Sequence, residues 1–306
     1  MATCGHWPPE RIAAGVVLYH PREQARRLID VLADQFEAVF AVENEARVVG
    51  REYDDHPNGS LDTSDNDRRA VHMQRNSKNA GLARAINQVC ESARAEGFEW
   101  LVLFDQDSGV PPDFRARFAR LFPTLAESPA LLAANYHTVL CDEMFPGYRL
   151  DGNEPIGERV TDLNAGSLLD LQIHRQVGGH CEALFVDHVD HEYCLRLRRN
   201  GYAVLATREP LFTHEIGNIV CARRFGRVWQ SGGHPPSRRR EASEALVRVI
   251  KSYWRFEPRW CSRMLLVELP RSIVAMLVLE RQRVAKLSAL AAGLARGIFR
   301  SKSSVR

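Results

Sequence analysis

Short apolar runs alternate with segments of helical spacing along the first two thirds of the chain. Runs rich in Val, Leu, Phe and Ala are typical of strands buried on both faces of a sheet. They predict strands at residues 13–19, 38–42, 71–73, 100–104, 131–134 and 202–206. Apolar residues three and four positions apart predict helices at residues 22–34, 82–96, 111–122 and 190–200. This alternation predicts βαβ units, and therefore an α/β fold with a mostly parallel sheet flanked by helices.

Two polar stretches interrupt this pattern. Residues 45–69 are rich in Asp, Asn, Gly and Ser, which predicts a long loop. Residues 231–240 are rich in Gly, Pro and Arg, which predicts a linker, and the helical segments beyond it mix Arg with large apolar residues. We therefore expect one domain at residues 11–230 and a basic, amphipathic helical tail at residues 237–306.

Two carboxylates, Asp105 and Asp107, follow the predicted strand 100–104 directly and are separated by Gln106. The carboxyl ends of parallel strands are where open α/β sheets bind ligands. Two such carboxylates repel each other unless a cation or a sugar hydroxyl lies between them. A hard divalent ion carrying a diphosphate would supply that charge. The alternative is that Asp107 only caps the next helix.

Charge is distributed unevenly along the 306 residues. The formal net charge is +3, but residues 237–306 hold 16 Lys and Arg against 5 Asp and Glu, so the tail is strongly basic and the rest mildly acidic. A basic tail suggests an anionic partner, either a membrane or a nucleic acid, and no nucleic-acid motif accompanies it. The aromatic and basic residues that suit a helix in the headgroup layer of a membrane are Arg248, Lys251, Tyr253, Trp254, Arg255, Phe256, Arg259 and Trp260. The alternative is a helical appendage that packs on the body or on a second subunit.

Other sequence signals exclude several classes. The 7 Cys residues include no C-x-x-C pair, which argues for a reducing compartment and against a disulfide framework. The N-terminus lacks the pattern of a signal peptide, and the apolar stretch 264–279 is too interrupted to predict a membrane span. No G-x-G-x-x-G follows the first strand and no Walker motif is present, so dehydrogenase and P-loop functions are disfavoured.

Histidines outside these motifs give weaker signals. The spacing His188-x-x-His191-x-x-Cys194 is compatible with zinc but lacks a fourth ligand at a telling distance. His174 and His180 carry no motif, and we expect them at the surface.

Four segments follow one another in an informative order. They are Val16-Val17-Leu18-Tyr19-His20-Pro21; Asn76-Ser77-Lys78-Asn79-Ala80-Gly81 with the helix that it opens; Leu103-Phe104-Asp105-Gln106-Asp107-Ser108; and Leu184-Phe185-Val186-Asp187-His188-Val189-Asp190-His191-Glu192-Tyr193, continued by Arg196 and His214. In these segments the chain resembles nucleotide-sugar glycosyltransferases of the GT-A type. More narrowly, it resembles the rhamnosyltransferase-like branch of glycosyltransferase family 2, over residues 11–220. The resemblance implies a GT-A-type, Rossmann-like sheet.

The resemblance also implies roles for matched residues. Asp107 and His214 would bind Mg²⁺ or Mn²⁺, and Asp105 would contact the ribose or diphosphate of the donor. Asp190 would be the catalytic base, with Asp187 the alternative base and Glu192 a supporting or acceptor-binding residue. From its position alone, Asp190 is equally a candidate helix N-cap.

Further positions would contact the donor. Tyr19, Glu43 and Asn79 would line the nucleotide pocket, where Glu43 stands in place of the Asp that is usual in the family. Asn164, Gly166 and Ser167 would contact the donor or acceptor sugar, in a segment where the family commonly has Thr-Ser-Gly-Ser.

The implied activity is an inverting, metal-dependent transfer of L-rhamnose from dTDP-L-rhamnose to a cell-surface glycan or a lipid-linked acceptor. Two alternatives remain open, a transferase for a UDP-hexose or galactofuranose and a catalytically silent carbohydrate- or partner-binding module. The resemblance and the basic tail together imply a cytoplasmic protein peripheral to the cytoplasmic face of the membrane.

Overall fold

The computed structural model describes residues 7–44, 70–215, 219–224 and 226–300. The predicted loop 45–69 therefore lies outside the described residues. The strands are β1 Ala13–Leu18, β2 Ala38–Glu43, β3 Ala70–Arg75, β4 Trp100–Asp105, β5 Ser108–Gly109, β6 Leu131–Leu140, β7 Glu143–Pro146, β8 Ile156–Arg159, β9 Ser167–Asp170, β10 Val204–His214, β11 Val220–Arg224 and β12 Arg227–Ser231.

Helices separate most of these strands and form the C-terminal part of the chain. They are α1 Glu23–Ala33, α2 Leu82–Ala95, α3 Phe114–Ala119, α4 Leu171–Gln176, α5 Val189–Arg199, α6 Pro236–Tyr253, α7 Pro258–Arg263, α8 Leu269–Leu279 and α9 Arg283–Phe299. A π-helical segment, Met264–Glu268, joins α7 to α8.

Ten of the described strands form one sheet. Its main path is β3-β2-β1-β4-β9-β6-β10-β5, with β7 added beside β6 and β8 beside β10. The pairs among β3, β2, β1 and β4 are parallel, and so is the pair of β10 with β6. The chain moves outward from β1 to β3 and then returns to β4 on the other side of β1. This reversal creates a switch point between the carboxyl ends of β1 and β4, where open α/β sheets bind ligands.

The strands and flanking helices predicted from the sequence are present. The largest difference between the predicted and the observed bounds concerns β10. The prediction ended this strand at residue 206, but β10 continues to His214. Irregular register between Ala206, Pro210 and Phe212 accommodates the proline, which cannot donate a ladder hydrogen bond. The apolar pattern that predicts a strand therefore ends near the irregularity, whereas the strand itself continues to His214.

The buried core lies on both faces of the sheet. Alternate residues of β2 face opposite sides, with Phe40 in one cluster and Val39 in the other. Helices α1 and α3 cover one face, whereas α2, α5, α6 and α7 cover the other. Ile250 and Tyr253 of α6 belong to the same cluster as strand residues. The start of the tail therefore packs into the core, and α6 begins at Pro236, inside the predicted linker.

This packing corrects part of the predicted membrane-facing set. Arg248, Tyr253 and Trp260 are buried, because α6 and α7 turn these side chains toward the body. Trp254 and Phe256 are exposed. Within the described residues, no helix combines the length and the apolar character needed to cross a bilayer.

Candidate active site

Gln106 joins the carboxyl ends of β1 and β4 at the switch point. Its side-chain oxygen accepts a hydrogen bond from the Tyr19 backbone N–H at 2.8 Å, and its Nε2 donates to the Tyr19 carbonyl at 2.8 Å. The side chain therefore imitates a strand partner for the residue that follows β1. This role of Gln106 was not predicted from the sequence, although its place between two aspartates was a signal.

Asp105, Asp107 and His214 form one cluster. Their candidate ligand atoms lie within 4.8 Å of one another, and no other group of this kind occurs in the part of the chain that the structure describes. His214 Nε2 lies 3.7 Å from Asp105 Oδ2, and His214 Nδ1 lies 3.6 Å from Asp107 Oδ1. His214 reaches this place because the end of β10 pairs antiparallel with β5, where it lies opposite Ser108.

The electrostatics of the cluster favour a bound cation. Burial raises the pKa of Asp105 to about 6, His214 opposes this shift, and the charges of Asp107 and Asp190 add to it. Asp107 Oδ1 and His214 Nδ1 are buried and have no hydrogen-bond partner among the described residues. Unpartnered buried polar atoms are costly, so their proximity suits a shared ligand. Two carboxylate oxygens and one imidazole nitrogen fit a divalent ion such as Mn²⁺ or Mg²⁺.

Asp190 lies in the first turn of α5, close enough to this cluster that its charge raises the pKa values of Asp105 and Asp162. Its Oδ1 accepts a hydrogen bond from the His191 backbone N–H at 2.8 Å. The N-cap position of α5 is occupied by His188, so the alternative interpretation of Asp190 as the N-cap is wrong. The same holds for Asp107, because Asp113 occupies the N-cap position of α3.

The two alternative acids at this segment are already paired. Glu192 is buried, and its carboxylate accepts hydrogen bonds from Arg196 at 3.0 and 2.8 Å and from Tyr253 Oη at 2.7 Å. This arrangement removes Glu192 from contact with an acceptor, contrary to that part of the expectation, and makes it a support for α5. Asp187 contacts Arg238 of α6 at 3.4 Å and remains partly exposed.

Asn44 holds the loop between β3 and α2 against the end of β2. Its Nδ2 donates to Asn79 Oδ1 at 3.0 Å and to the Gly81 carbonyl at 3.1 Å, and its Oδ1 accepts from the Ala80 N–H at 2.8 Å. Asn44 is buried and was missed from the sequence. The side-chain oxygen of Asn79 is used within this network, while Glu43 forms an ion pair with Arg75 at 2.7 Å.

The sequence-predicted sugar contacts are largely internal. Ser167 is fully buried and donates to the Leu163 carbonyl at 2.6 Å, so its hydroxyl does not face a sugar. Gly166 has a positive φ of 76°, and a Cβ there would lie 2.5 Å from the Phe212 ring. The Gly166 N–H donates to the Leu103 carbonyl, and the Gly166 carbonyl accepts from the Ala134 N–H. Gly166 therefore links β4 to β6 just before β9 begins. Asn164 is buried and accepts a hydrogen bond from His180.

His174 and His180 are buried, contrary to the expectation that they lie at the surface. If Asn164 Oδ1 accepts from His180 Nε2 at 3.1 Å, then His180 Nδ1 must accept from His174 Nε2, also at 3.1 Å. Burial is the main cause that lowers the pKa of His174 to about 3 and the pKa of His180 well below its usual value. Both rings are therefore neutral parts of a buried network.

The zinc interpretation is wrong for the described residues. His188 Nδ1 and His191 Nδ1 are 3.0 Å apart and share a hydrogen bond, so these nitrogens face each other. Cys194 is buried, and its sulfur contacts the Asp162 backbone instead.

Comparisons with known proteins identify one similar sequence and several similar structures. No protein-family model matches the chain. It is 26% identical over 221 residues to the dTDP-rhamnosyl transferase RfbF of Shigella flexneri, which covers 68% of this chain and 70% of that protein. Among solved structures, GalNAc-T7 with UDP, GalNAc and Mn²⁺ matches with a TM-score of 0.56 and 12% identity, over 94% of this chain and 56% of that one. Residues 1–349 of S. aureus TarS match with a TM-score of 0.47 and 12% identity, over 96% and 73% of the two chains.

The fold is that of GT-A glycosyltransferases. This confirms the predicted α/β class with its largely parallel, helix-flanked sheet. Together with the curated relative, the fold supports a glycosyltransferase. The cluster of Asp105, Asp107 and His214 lies at the carboxyl ends of the strands, the general location of ligand sites in open α/β sheets.

Proposed function

We propose that the protein is an inverting, metal-dependent glycosyltransferase that transfers L-rhamnose from dTDP-L-rhamnose to a glycan or lipid-linked acceptor of the cell surface. The observation that carries the proposal is the cluster of Asp105, Asp107 and His214, in which two buried atoms have no hydrogen-bond partner among the residues that the structure describes. The rhamnosyl donor rests on the likeness to a dTDP-rhamnosyl transferase.

Asp107 and His214 would hold the cation, and Asp105 would lie on the side of the donor diphosphate or ribose. When bound, Mg²⁺ or Mn²⁺ supplies Lewis acidity that stabilises the charge on a departing diphosphate. Backbone pairing and one side chain hold the three groups in position. Gln106 anchors the end of β4, and pairing of β10 with β5 anchors His214.

Asp190 would accept the proton of the acceptor hydroxyl at its carboxylate. In an inverting displacement, this base must lie on the opposite side of the anomeric carbon from the leaving diphosphate. The first turn of α5 favours a negative charge by about 0.3–1 kcal/mol. Glu192, Arg196 and Tyr253 would hold α5 in place, and Asp187 is the remaining alternative base because it is partly exposed.

The nucleotide would lie along the carboxyl ends of β1 and β2. Tyr19 is exposed there, and Glu43 and Asn79 lie at the end of β2 and in the neighbouring loop. Because Glu43 is paired with Arg75, a base contact by its carboxylate would share or displace that ion pair.

A donor panel tests this proposal. The full chain would be incubated with Mn²⁺ and either dTDP-L-rhamnose, UDP-hexoses or UDP-galactofuranose, and thermal unfolding and donor hydrolysis would be measured. We expect dTDP-L-rhamnose to give the largest stabilisation and to be hydrolysed slowly, with inverted configuration of the released sugar by NMR. The variant Asp190→Asn should bind the donor as the unaltered chain does but release little sugar, because water then lacks its base.

Each other outcome selects an alternative. Preference for a UDP-sugar would mean that the donor is a UDP-hexose or UDP-galactofuranose and not dTDP-L-rhamnose. Donor binding without hydrolysis, and without transfer to lipid extracts carrying glycans, would favour a silent binding module. Unchanged hydrolysis by the Asp190→Asn variant would remove the assigned base.

The proposal extends to the partner of the tail. Exposed residues follow one face of the continuous helical segment from α7 to α8 at spacings of three and four, and this set is called the apolar stripe. The apolar stripe comprises Arg263, Leu266, Val267, Pro270, Arg271, Val274 and Val278. Leu266 is 76% exposed and Val274 is 44% exposed, so the described part of the chain does not cover them.

An anionic lipid surface fits both the aliphatic residues and the arginines of the apolar stripe. Its aliphatic side chains would enter the headgroup boundary, and Arg271 would meet lipid phosphates. Two stripes packed against each other would instead bring the arginines of two copies together. The protein would therefore lie on a membrane through this face, as a peripheral protein.

A further inference from the structure

Two cysteines outside the candidate active site contact each other across 80 positions of the chain. Cys141 lies in the two-residue turn between β6 and β7, and Cys221 lies in β11. The two side chains lie close enough for Cys221 to act on the pKa of Cys141, and both are partly exposed. The other described cysteines, Cys90, Cys181, Cys194 and Cys261, are all buried.

An ion pair also joins the two segments. Arg223, two positions after Cys221, forms it with Glu143, two positions after Cys141. The ion pair and the cysteines therefore lie at the same offset on both segments. Cys141 and Asp142 both have positive φ values, 49° and 63°, as in the tight turns that close two-residue hairpins.

We infer that Cys141 and Cys221 form a redox-sensitive pair that takes up a disulfide from a small oxidised thiol such as oxidised glutathione. Disulfides in proteins of reducing compartments are usually transient and redox-sensing, and accessible thiols are the ones that react. This pair combines access with a partner already in contact, whereas the buried thiols have no access.

The exchange balances without any other reactant. The thiolate of one cysteine attacks a sulfur of oxidised glutathione, forming a mixed disulfide and expelling one glutathione thiolate. The second cysteine loses its proton and attacks the protein sulfur of that mixed disulfide, expelling the second glutathione. The two protein thiols lose two electrons and two protons, and oxidised glutathione becomes two molecules of glutathione.

The position of the pair gives the bond a structural consequence. Cys141 comes five positions after Tyr136 of β6, and Cys221 comes seven positions after His214 of β10. The rings of Tyr136 and His214 are 5.6 Å apart. A disulfide would therefore tie together the segments that leave these two strands beside the candidate metal cluster. The closed loop of 80 positions should also raise the thermal unfolding midpoint of the oxidised protein.

Mapping of the disulfide in the full chain tests the inference. A Cys4→Ser variant, which removes the cysteine outside the described residues, would be equilibrated in glutathione buffers of increasing oxidation, alkylated and digested. We expect one linked peptide pair joining Cys141 to Cys221, with Cys90 and Cys194 unmodified as evidence of an intact fold. In Cys141→Ser and Cys221→Ser variants, the remaining partner should instead carry a stable glutathione adduct.

Separate adducts on both cysteines at every buffer ratio would overturn the inference. So would free thiols at both positions, or a bond from either one to another cysteine. The measurement needs no variant at the pair itself, so misfolding of the serine variants does not decide it. It also involves no sugar transfer, so its failure and the failure of the proposed function are independent.

Discussion

His214 Nδ1 lies 3.6 Å from Asp107 Oδ1, and both atoms are buried without a hydrogen-bond partner among the described residues. This is an unusual arrangement, because native proteins satisfy nearly all buried polar atoms. His214 is 6% exposed while Asp107 is 33% exposed, so the imidazole forms the wall of the site and the carboxylate its accessible side. A ligand that both atoms share would remove the two deficits together.

The first prediction concerns metal binding by this pair. We expect His214→Ala and Asp107→Asn each to weaken Mn²⁺ binding at least about tenfold, which corresponds to ~1.4 kcal/mol. Isothermal titration with Mn²⁺ measures the effect, and Asp113→Asn, an exposed aspartate six positions after Asp107, is the matched control. Equal affinity in all three variants would mean that the cluster does not bind the metal.

The second prediction concerns the link between β1 and β4. Gln106→Ala removes two hydrogen bonds to the Tyr19 backbone, each worth about 0.5–1.5 kcal/mol. We therefore expect the free energy of unfolding to fall by about 1–3 kcal/mol in urea titrations. Gln106→Glu keeps only the acceptor and adds a third carboxylate between Asp105 and Asp107, so it should be at least as destabilised in the absence of metal. Addition of Mn²⁺ should recover part of this loss in Gln106→Glu but not in Gln106→Ala.

The third prediction concerns the close approach of Gly81 and Phe185. Gly81 has φ +90°, and a Cβ there would lie 2.9 Å from both the ring and the carbonyl oxygen of Phe185. That carbonyl accepts a hydrogen bond from the Leu82 N–H at 2.6 Å, so the backbone cannot move away freely. Gly81→Ala should cost about 1–3 kcal/mol of stability and weaken nucleotide binding, because the same loop carries Asn79.

Gly97 provides the control for that experiment. It also has a positive φ, 79°, but nothing lies within 4 Å of the position of an added Cβ. Gly97→Ala therefore carries the backbone strain without the clash. If both variants lose equal stability and nucleotide affinity, the contact with Phe185 has no specific role.

The strands around the switch point could be predicted because their signal is local. Buried parallel strands are continuous apolar runs, and Asp105 and Asp107 follow one of them directly. The position of His214 could not be predicted from such a local pattern, because the register irregularity at Pro210 interrupts the second half of β10. Its place in the cluster came from the resemblance alone.

The burial of His174 and His180 could not be predicted from neighbouring residues. Their environment is made by Asn164 and by Asn87, whose side chain bonds to both backbone groups of His180. These partners are distant along the chain, so no periodicity reports them. The same reason explains the tail, where helical spacing identified an amphipathic helix but not which face the body would cover.

The fourth prediction follows from the buried histidines. The folded-state pKa of His174 is about 3, whereas the unfolded chain binds a proton near pH 6.5. Its stabilising contribution is therefore present above pH 6.5 and is lost as the pH falls toward 3. His174→Gln keeps a donor at a similar position but cannot take up the proton. Relative to the unaltered chain, this variant should gain about 1.4 kcal/mol of stability for each pH unit below about 6.

Urea titrations at several pH values measure this difference. Taking the difference between the two chains cancels the carboxyl groups, such as Asp170, whose pKa is raised to about 6 and which act in the opposite direction. Between pH 7.5 and 8.5 the difference should stay constant, which serves as the internal control. A constant difference down to pH 5 would mean that His174 can be protonated in the folded chain.

The fifth prediction concerns the apolar stripe. Full burial of one aliphatic side chain is worth about 1.5–3 kcal/mol, so replacing Leu266 and Val274 by Asp should weaken binding to vesicles containing an anionic phospholipid at least about tenfold. Cosedimentation measures the bound fraction, and vesicles of a zwitterionic lipid should bind the unaltered chain less well because Arg271 then lacks its counter-charge. Val139→Asp is the matched control, since Val139 is a 54% exposed valine of β6 that does not belong to the apolar stripe. Equal vesicle binding by the double variant and the control would reject the membrane partner, and a dimer broken only by the stripe substitutions would assign the same face to a second copy of the chain.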